Sequence, residues 1–231
     1  MIDITAIFLT LNRMPPRWSE FHMSHLMAAL GDIPVISISR VPMDFGTNLI
    51  DDAEPCYSNY YRQILRGAKI AETKFIAVVE DDVLYHENHF RRFRPADDEF
   101  SYNRCRWSVF SWGDPQFSLR NRISNCSCIA PRELLITALT ERFALPGRVH
   151  EGLMAECGRA DVEAKLGITQ RKKVEFYSRL PIVQLSHDGG TEHRQREHRK
   201  AHAEVRAFEI PYWGRAEDLL MYYNPPQLDH R

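Results

Sequence analysis

Three carboxylates stand in a row at Glu80-Asp81-Asp82, directly after the apolar run Phe75-Ile76-Ala77-Val78-Val79. Neighbouring acids repel one another, and all three stay ionised only beside a compensating cation. A hard divalent ion with oxygen ligands is the natural one. In extended backbone Glu80 and Asp82 point to one side and Asp81 to the other. That predicts a metal facing Glu80 and Asp82, with Asp81 left to engage a hydroxyl or a basic group. The competing reading is a solvated acidic turn that caps the next helix. The dry strand just ahead favours a site, because open α/β sheets bind ligands beyond the carboxyl ends of their strands.

The elements that must position this triplet are legible in the apolar pattern. Residues 4–11 are nearly all apolar or β-branched and run into Asn12-Arg13-Met14-Pro15-Pro16, which predicts a buried strand feeding a loop. Apolar positions from 18 to 30 follow helical spacing and stop at Gly31, residues 33–39 predict a second strand, and 41–55 reads as loop. A helix is predicted from 56 to 72 and a strand from 74 to 79, ending in the acids. Strand and helix in alternation are the grammar of a parallel α/β sheet. After residue 104 the pattern predicts strands at 106–112 and 124–130, a helix at 132–143, a loop and helix within 146–166, and a late strand at 180–185. That strand leads into Ser186-His187-Asp188-Gly189-Gly190. The aromatic-rich end (Phe208, Tyr212, Trp213, Tyr222, Tyr223) is expected to pack back on the body.

A chain of 231 residues is enough for one domain, and 44% hydrophobic with 26% charged residues excludes a disordered polymer. The formal charge of −1 excludes a wholly basic nucleic-acid coat, though not a local basic face. No apolar run reaches the roughly 20 residues of a membrane helix, and the first residues lack the features of a signal peptide. A cytoplasmic setting is expected. Five cysteines without a CxxC pair fit free thiols in a reducing compartment.

The stretch from Gln63 to Tyr85, with its helix, strand and Glu80-Asp81-Asp82-Val83, resembles the Asp-x-Asp-type region of the GT-A nucleotide-sugar glycosyltransferases. The spelling is closest to their lipooligosaccharide and collagen-modifying branch. Phe8-Leu9-Thr10-Leu11-Asn12-Arg13 is similar to the donor-binding opening of that superfamily. The resemblance implies a GT-A, Rossmann-like, mostly parallel central sheet flanked by helices. Residues 1–190 would form the catalytic domain, with 1–104 the nucleotide-sugar half and 105–190 the acceptor half, and 191–231 an extension packed on it. It also implies Mn2+ or Mg2+ held largely by Asp82 and bridging the diphosphate of a donor, expected to be a UDP-sugar. The metal would neutralise charge developing on the leaving diphosphate. Glu80, Asp81, Thr10, Asn12 and Arg13 would lie near the nucleoside and phosphates, and Arg62 and Arg66, on one helix face, near the diphosphate; exposed loop and surface arginines are the competing reading. His187 would complete the metal shell, as imidazole suits Mn2+. The acid common after the second strand is replaced here by Ser37-Ile38-Ser39-Arg40. For the general base, a carboxylate within hydrogen-bond reach of the acceptor, the order is Asp161, then Glu151, with Glu156 a further candidate.

Residues 193–206 place Arg194, His198 and His202 on one helical face, and Arg171-Lys172-Lys173 adds a second cluster. Such strips contact phosphates, although with interspersed acids a solvated helix is the usual explanation of such a run. Compact transferases of this kind occur in viruses that glycosylate hydroxymethylated pyrimidines, which makes 5-hydroxymethylpyrimidine in bacteriophage DNA one acceptor, with Trp107, Trp112 and Trp213 as stacking surfaces or, the competing reading for most of them, as buried core. A lipopolysaccharide or other glycan is another acceptor. A metal-dependent nucleotidyltransferase is the alternative enzyme, although neither GxxxxGK nor HExxH is present. A non-catalytic nucleic-acid module would leave the acids unexplained.

Overall fold

The computed structural model describes residues 2–146, 154–187 and 203–224. Strand β1 (Ile4–Leu9) is buried along its whole length. Its side chains alternate between two cores: Ile4, Ala6 and Phe8 enter one, Ile7 and Leu9 the other. Strand β4 (Phe75–Glu80) does the same, with Ile76 and Val78 facing opposite to Phe75, Ala77 and Val79. Two-sided burial explains why both strands read as continuous apolar runs rather than as polar–apolar alternation.

These strands lie in the middle of a seven-stranded sheet with β2 (Val35–Ser39), β3 (Thr47–Ile50), β6 (Glu99–Asn103), β9 (Cys128–Pro131) and β10 (Lys172–Phe176). The order is β10-β6-β9-β4-β1-β2-β3. Pairing is parallel except where β9 runs antiparallel between β4 and β6. Helices α1 (Pro16–Leu30) and α3 (Glu87–Arg91) cover one face, and α2 (Tyr57–Ile70) and α4 (Arg132–Phe143) the other. Helix α5 (Ala160–Leu166) follows at the edge. The fold is therefore the mixed α/β class that the pattern predicts, with a mostly parallel central sheet flanked by helices.

Two of the expected strands, at 106–112 and 180–185, belong to a second sheet, β12-β8-β7-β11-β5, which the apolar pattern does not reveal. It is made by β5 (Val83–Leu84), β7 (Arg106–Phe110), β8 (Phe117–Leu119), β11 (Ile182–Ser186) and β12 (Arg206–Ala207). The hairpin β13 (Glu209–Ile210) and β14 (Gly214–Arg215), with helix α6 (Ala216–Leu220), packs beside it. In this segment Tyr222 stacks on Phe21 of α1, with ring centres 3.9 Å apart, and the Trp213 indole N–H donates to Pro181 O at 2.8 Å. That places Trp213 in the core and not on a stacking surface. No helix among the described residues is long and apolar enough to cross a membrane.

Several boundaries differ from expectation for local reasons. Helix α1 starts at Pro16, because proline suits a first helical position. The stretch 41–55 holds β3, an edge strand whose exposed and half-exposed residues leave no alternation to read. Residues 125–127 form a 3-10 turn before β9. Gly46 has φ +66°, and a Cβ there would stand 2.2 Å from Val35 O. Gly46→Ala is expected to destabilise the protein by about 3 kcal/mol, from left-handed strain and overpacking together, read as a lower urea midpoint at unchanged m-value.

His89 is wholly buried among Tyr85, Phe90 and Phe176, and its Nδ1 accepts from Asn103 Nδ2 at 3.2 Å. Burial, with Arg94 adding to it, pushes its pKa down to about 3. The unfolded chain therefore takes up this proton near pH 6.5 while the folded chain does not. Stability contributed by the neutral ring is present above pH 6.5 and is lost as pH falls towards 3, at up to about 1.4 kcal/mol per pH unit. Chemical denaturation across pH 3–7 should show a shallower acid decline for His89→Phe than for wild type.

Candidate active site

The acidic triplet is the junction of the two sheets. Glu80 ends β4 in the first sheet, Asp81 and Asp82 make a turn, and Val83 opens β5 in the second. The alternation expected for an extended segment is thus replaced by a turn, and all three acids line one cavity of about 500 Å³. It opens beyond the carboxyl ends of β1 and β4, where Thr10 and Arg13 also line it.

Helix α1 holds this turn by its backbone. Trp18 Nε1 donates to Asp81 O at 2.9 Å, and His22 Nε2 lies 3.1 Å from Glu80 O and 2.9 Å from Val83 O. Both partners of that nitrogen are carbonyls, so Nε2 must carry the hydrogen. Burial pushes the His22 pKa down to about 4, so the ring is neutral. From the other side Glu80 N donates to the Tyr85 hydroxyl, which donates to Cys126 O at 2.9 Å. Trp18 and His22 are one helical turn apart on a buried face. That spacing was the available sign of their role, and it reads equally as ordinary core.

The carboxylates then have separate partners. The Tyr60 hydroxyl donates to Glu80 Oε1 at 2.5 Å, and the Thr10 hydroxyl to Asp81 Oδ2 at 2.5 Å. Burial, reinforced by the nearby Asp82 charge, raises Glu80 to about 8. Burial raises Asp81 to about 6 against the lowering bond from Thr10. Asp82 faces the second sheet. Gln184 Nε2 is 3.5 Å from its Oδ2, and His187 Nε2 is 4.0 Å from the same oxygen. Behind them the buried Arg106 donates to Gln184 Oε1 at 2.7 Å and to Arg122 O at 3.2 Å. Strand β11 brings Gln184 and His187 here because it pairs antiparallel with β5, in register Gln184 to Val83.

Other expected residues lie elsewhere. Asn12 has φ +53°, and its Oδ1 accepts from the backbone N–H groups of Arg40 and Val41, so it ties two loops together and does not line the cavity. Arg62 lies over the Phe143 ring and Arg66 donates to Ile50 O, both away from the cavity. Asp161 is fully exposed outside it, bound to Arg159 at 2.9 Å, because the first turn of α5 points it outward. Its carboxyl is held below the ordinary range by that arginine. Glu163, two residues on, takes the buried place and accepts from Gly158 N and Arg171 N. Glu156 does line the cavity. Glu151 lies outside the described residues, as do Asp188, Gly189, Gly190, Arg194, His198 and His202. Arg122, which the sequence did not single out, lines the cavity with Arg13, and neither makes an ion pair among the described residues.

Among the described residues no three His, Cys, Asp or Glu side chains gather closely enough to cage a metal ion. An Asp–His pair is nevertheless a fitting donor set for Mn2+ completed by phosphate oxygens, since ions of this kind take one or two protein ligands plus substrate. His22→Leu, which strips the donor from two carbonyls of the turn, is expected to cost about 2 kcal/mol, and Trp18→Phe about 1 kcal/mol. Urea unfolding of the two variants measures both.

No family model matches this sequence, and no curated protein matches it. Among solved structures the chain is similar to the inositol-1-phosphate CTP transferase from T. maritima, at 12% identity and TM-score 0.48, over 79% of this chain and 89% of that one. It is similar to a glycosyltransferase involved in glycosylation of the major capsid of PBCV-1, at 10% identity and TM-score 0.45, over 84% and 96%. It is also similar to a mannosyltransferase from Pyrobaculum calidifontis in complex with GDP-Man and Mn2+, at 13% identity and TM-score 0.44, covering 80% of this chain but only 56% of that one. At these values none of the three bears on what this chain does.

Proposed function

We propose that the protein is a metal-dependent glycosyltransferase that moves a sugar from a nucleotide-sugar donor to an acceptor hydroxyl. The observation that carries this reading is the single cavity in which Glu80, Asp81 and Asp82 meet His187, Arg13 and Arg122 beyond the carboxyl ends of the parallel strands. Carboxylates and an imidazole suit a divalent cation, and guanidinium groups suit phosphates.

In this reading Asp82 and His187 hold Mn2+ or Mg2+, with Gln184 orienting the Asp82 carboxylate. The ion, when bound, neutralises charge on the departing diphosphate. Arg13 and Arg122 add cationic donors to the same phosphates without any proton to lose. Thr10 fixes Asp81 and Tyr60 fixes Glu80, so the floor of the cavity does not reorganise as charge develops. The bond from the anomeric carbon to the phosphate oxygen breaks, and the acceptor oxygen bonds to that carbon. The acceptor proton passes to a carboxylate. We favour Glu156, which lines the cavity, for that role over Asp161, which does not. The donor we favour is a UDP-sugar. The acceptor we favour is a 5-hydroxymethylpyrimidine of DNA, on the strength of the basic stretch 193–206, in a cytoplasmic setting.

With UDP-sugars and Mn2+ present, wild type is expected to melt at a higher temperature and to hydrolyse donor slowly, because ligands of the folded state stabilise it by mass action. Asp82→Asn should lose the thermal shift and at least about 100-fold of the turnover. Mass spectrometry of hydroxymethylated DNA incubated with donor reads the acceptor. Donor binding that is indifferent to metal and to Asp82 defeats the reading.

A further inference from the structure

Asp51 follows β3 at the open end of the sheet, and its carboxylate has nothing to do with the acidic turn. One of its oxygens, Oδ2, accepts from both Asn59 Nδ2 at 3.0 Å and Gln63 Nε2 at 2.5 Å, while Oδ1 accepts from Ala53 N at 3.1 Å. Burial pushes the Asp51 carboxyl up, but the bonds from Gln63, Ala53 N and Asn59 outweigh it and hold it below the ordinary carboxylate range. Asn59 and Gln63 are one turn apart on α2 and both line the large cavity, whereas Asp51 stands behind them.

The consequence follows from hydrogen-bond chemistry. An ionised carboxylate only accepts, so both amides must turn their NH2 groups towards Asp51. Each amide oxygen then faces away from it. Neither Gln63 Oε1 nor Asn59 Oδ1 has a hydrogen-bond partner among the described residues, and neither belongs to the buried oxygens left unsatisfied. This wall therefore offers two adjacent acceptors, locked in that sense by a charge the ligand does not touch. A ligand that brings its own acceptors there would leave both unpaired, at the full desolvation cost.

We propose that the Asn59–Gln63 wall is a specificity site for a pair of adjacent hydrogen donors on the nucleotide, with Asp51 as the positioning residue that sets both amides. The proposal rests on the cavity accepting a nucleotide, as proposed above. Two parts of a nucleotide carry that chemistry. One is the 2′,3′-diol of ribose. The other is the guanine edge with its N1–H and N2–H2; uracil, cytosine and adenine each set an acceptor beside their donor. This extends the site beyond the metal and phosphates to the nucleoside, where the residues Ser37-Ile38-Ser39-Arg40 at the end of β2 supply no acid.

Calorimetric titration of GDP, UDP and their 2′-deoxy counterparts with Mn2+ tests this, using wild type, Gln63→Leu, Asn59→Leu and Asp51→Asn, each checked for folding by circular dichroism. If the diol is read, wild type binds the 2′-deoxy forms about tenfold more weakly, and the variants lose that difference. If the guanine edge is read, wild type binds GDP about tenfold more tightly than UDP, and the variants lose that preference instead. Folded variants that keep the wild-type pattern across the four nucleotides, or weaken all four equally, overturn the specificity site while leaving the proposed function intact. Wild type that binds none of the four overturns the proposed function as well. Should Gln63→Leu not fold, the Asn59→Leu comparison decides alone, since Asn59 is half-exposed at the cavity rim.

Discussion

Three acids at the point where one strand passes from one sheet to the next are the constraint around which this molecule is arranged. Like charges in a partly dry turn are unfavourable, and burial raises the proton affinity of Glu80 and Asp81 well above that of a free carboxylate. The turn keeps its shape because its backbone is pinned independently of its charges. Trp18 and His22 hold its carbonyls from α1, and Tyr85 accepts from its N–H. With the backbone so held, all three carboxyl groups stay on the wall of one cavity. Glu80 and Asp81 are met there by the Tyr60 and Thr10 hydroxyls, and Glu80 and Asp82 by each other. Polar strain of this kind, opposed by an apolar fold around it, is the usual physical mark of a site.

The second sheet supplies what the first cannot. The parallel sheet delivers Thr10, Glu80 and the acids to one end, as its topology requires. It does not bring Gln184 and His187 to Asp82. Strand β11 does so from the second sheet, and it is held by parallel pairing with β7 and by Leu185 N donating to Asp82 O at 2.7 Å. The C-terminal segment closes the same side: Tyr223 lies 6.3 Å from Trp18 and 5.6 Å from His187, ring centre to ring centre. One aromatic ring thus touches both the helix that pins the turn and the imidazole that faces it. The Asn59 and Gln63 side of the cavity is set by a separate device, the charge of Asp51 behind two amides.

The strands β1 and β4, the helices α1, α2 and α4 and the acidic motif were legible because each is a local pattern. Two-sided burial demands an apolar run, a helix against a sheet demands apolar residues at helical spacing, and three adjacent acids need no partner to be noticed. The edge strand β3 and the short strands β5, β8 and β12 were not legible, since two to four residues without alternation carry no period. The ranking of Asp161 as base failed in placement for a related reason. Sequence shows that an acid begins a helix, but not towards which side that first turn points.

What the sequence by itself determined is the α/β class, the strand that carries the acids and the chemical character of the site, because these follow from residue type and from periods of two and 3.6 within one element. What only the tertiary structure decided is which groups meet. Asp82 and Gln184 are 102 residues apart, Thr10 and Asp81 are 71 apart, and Trp18 reaches Asp81 across 63. No local propensity encodes such pairings. They arise when the sheet order and the register of β11 on β5 are set by packing of the whole chain, and only then do hydroxyl and amide arrive at hydrogen-bonding distance, and the His187 imidazole at 4.0 Å, from acids that had been visible from the start.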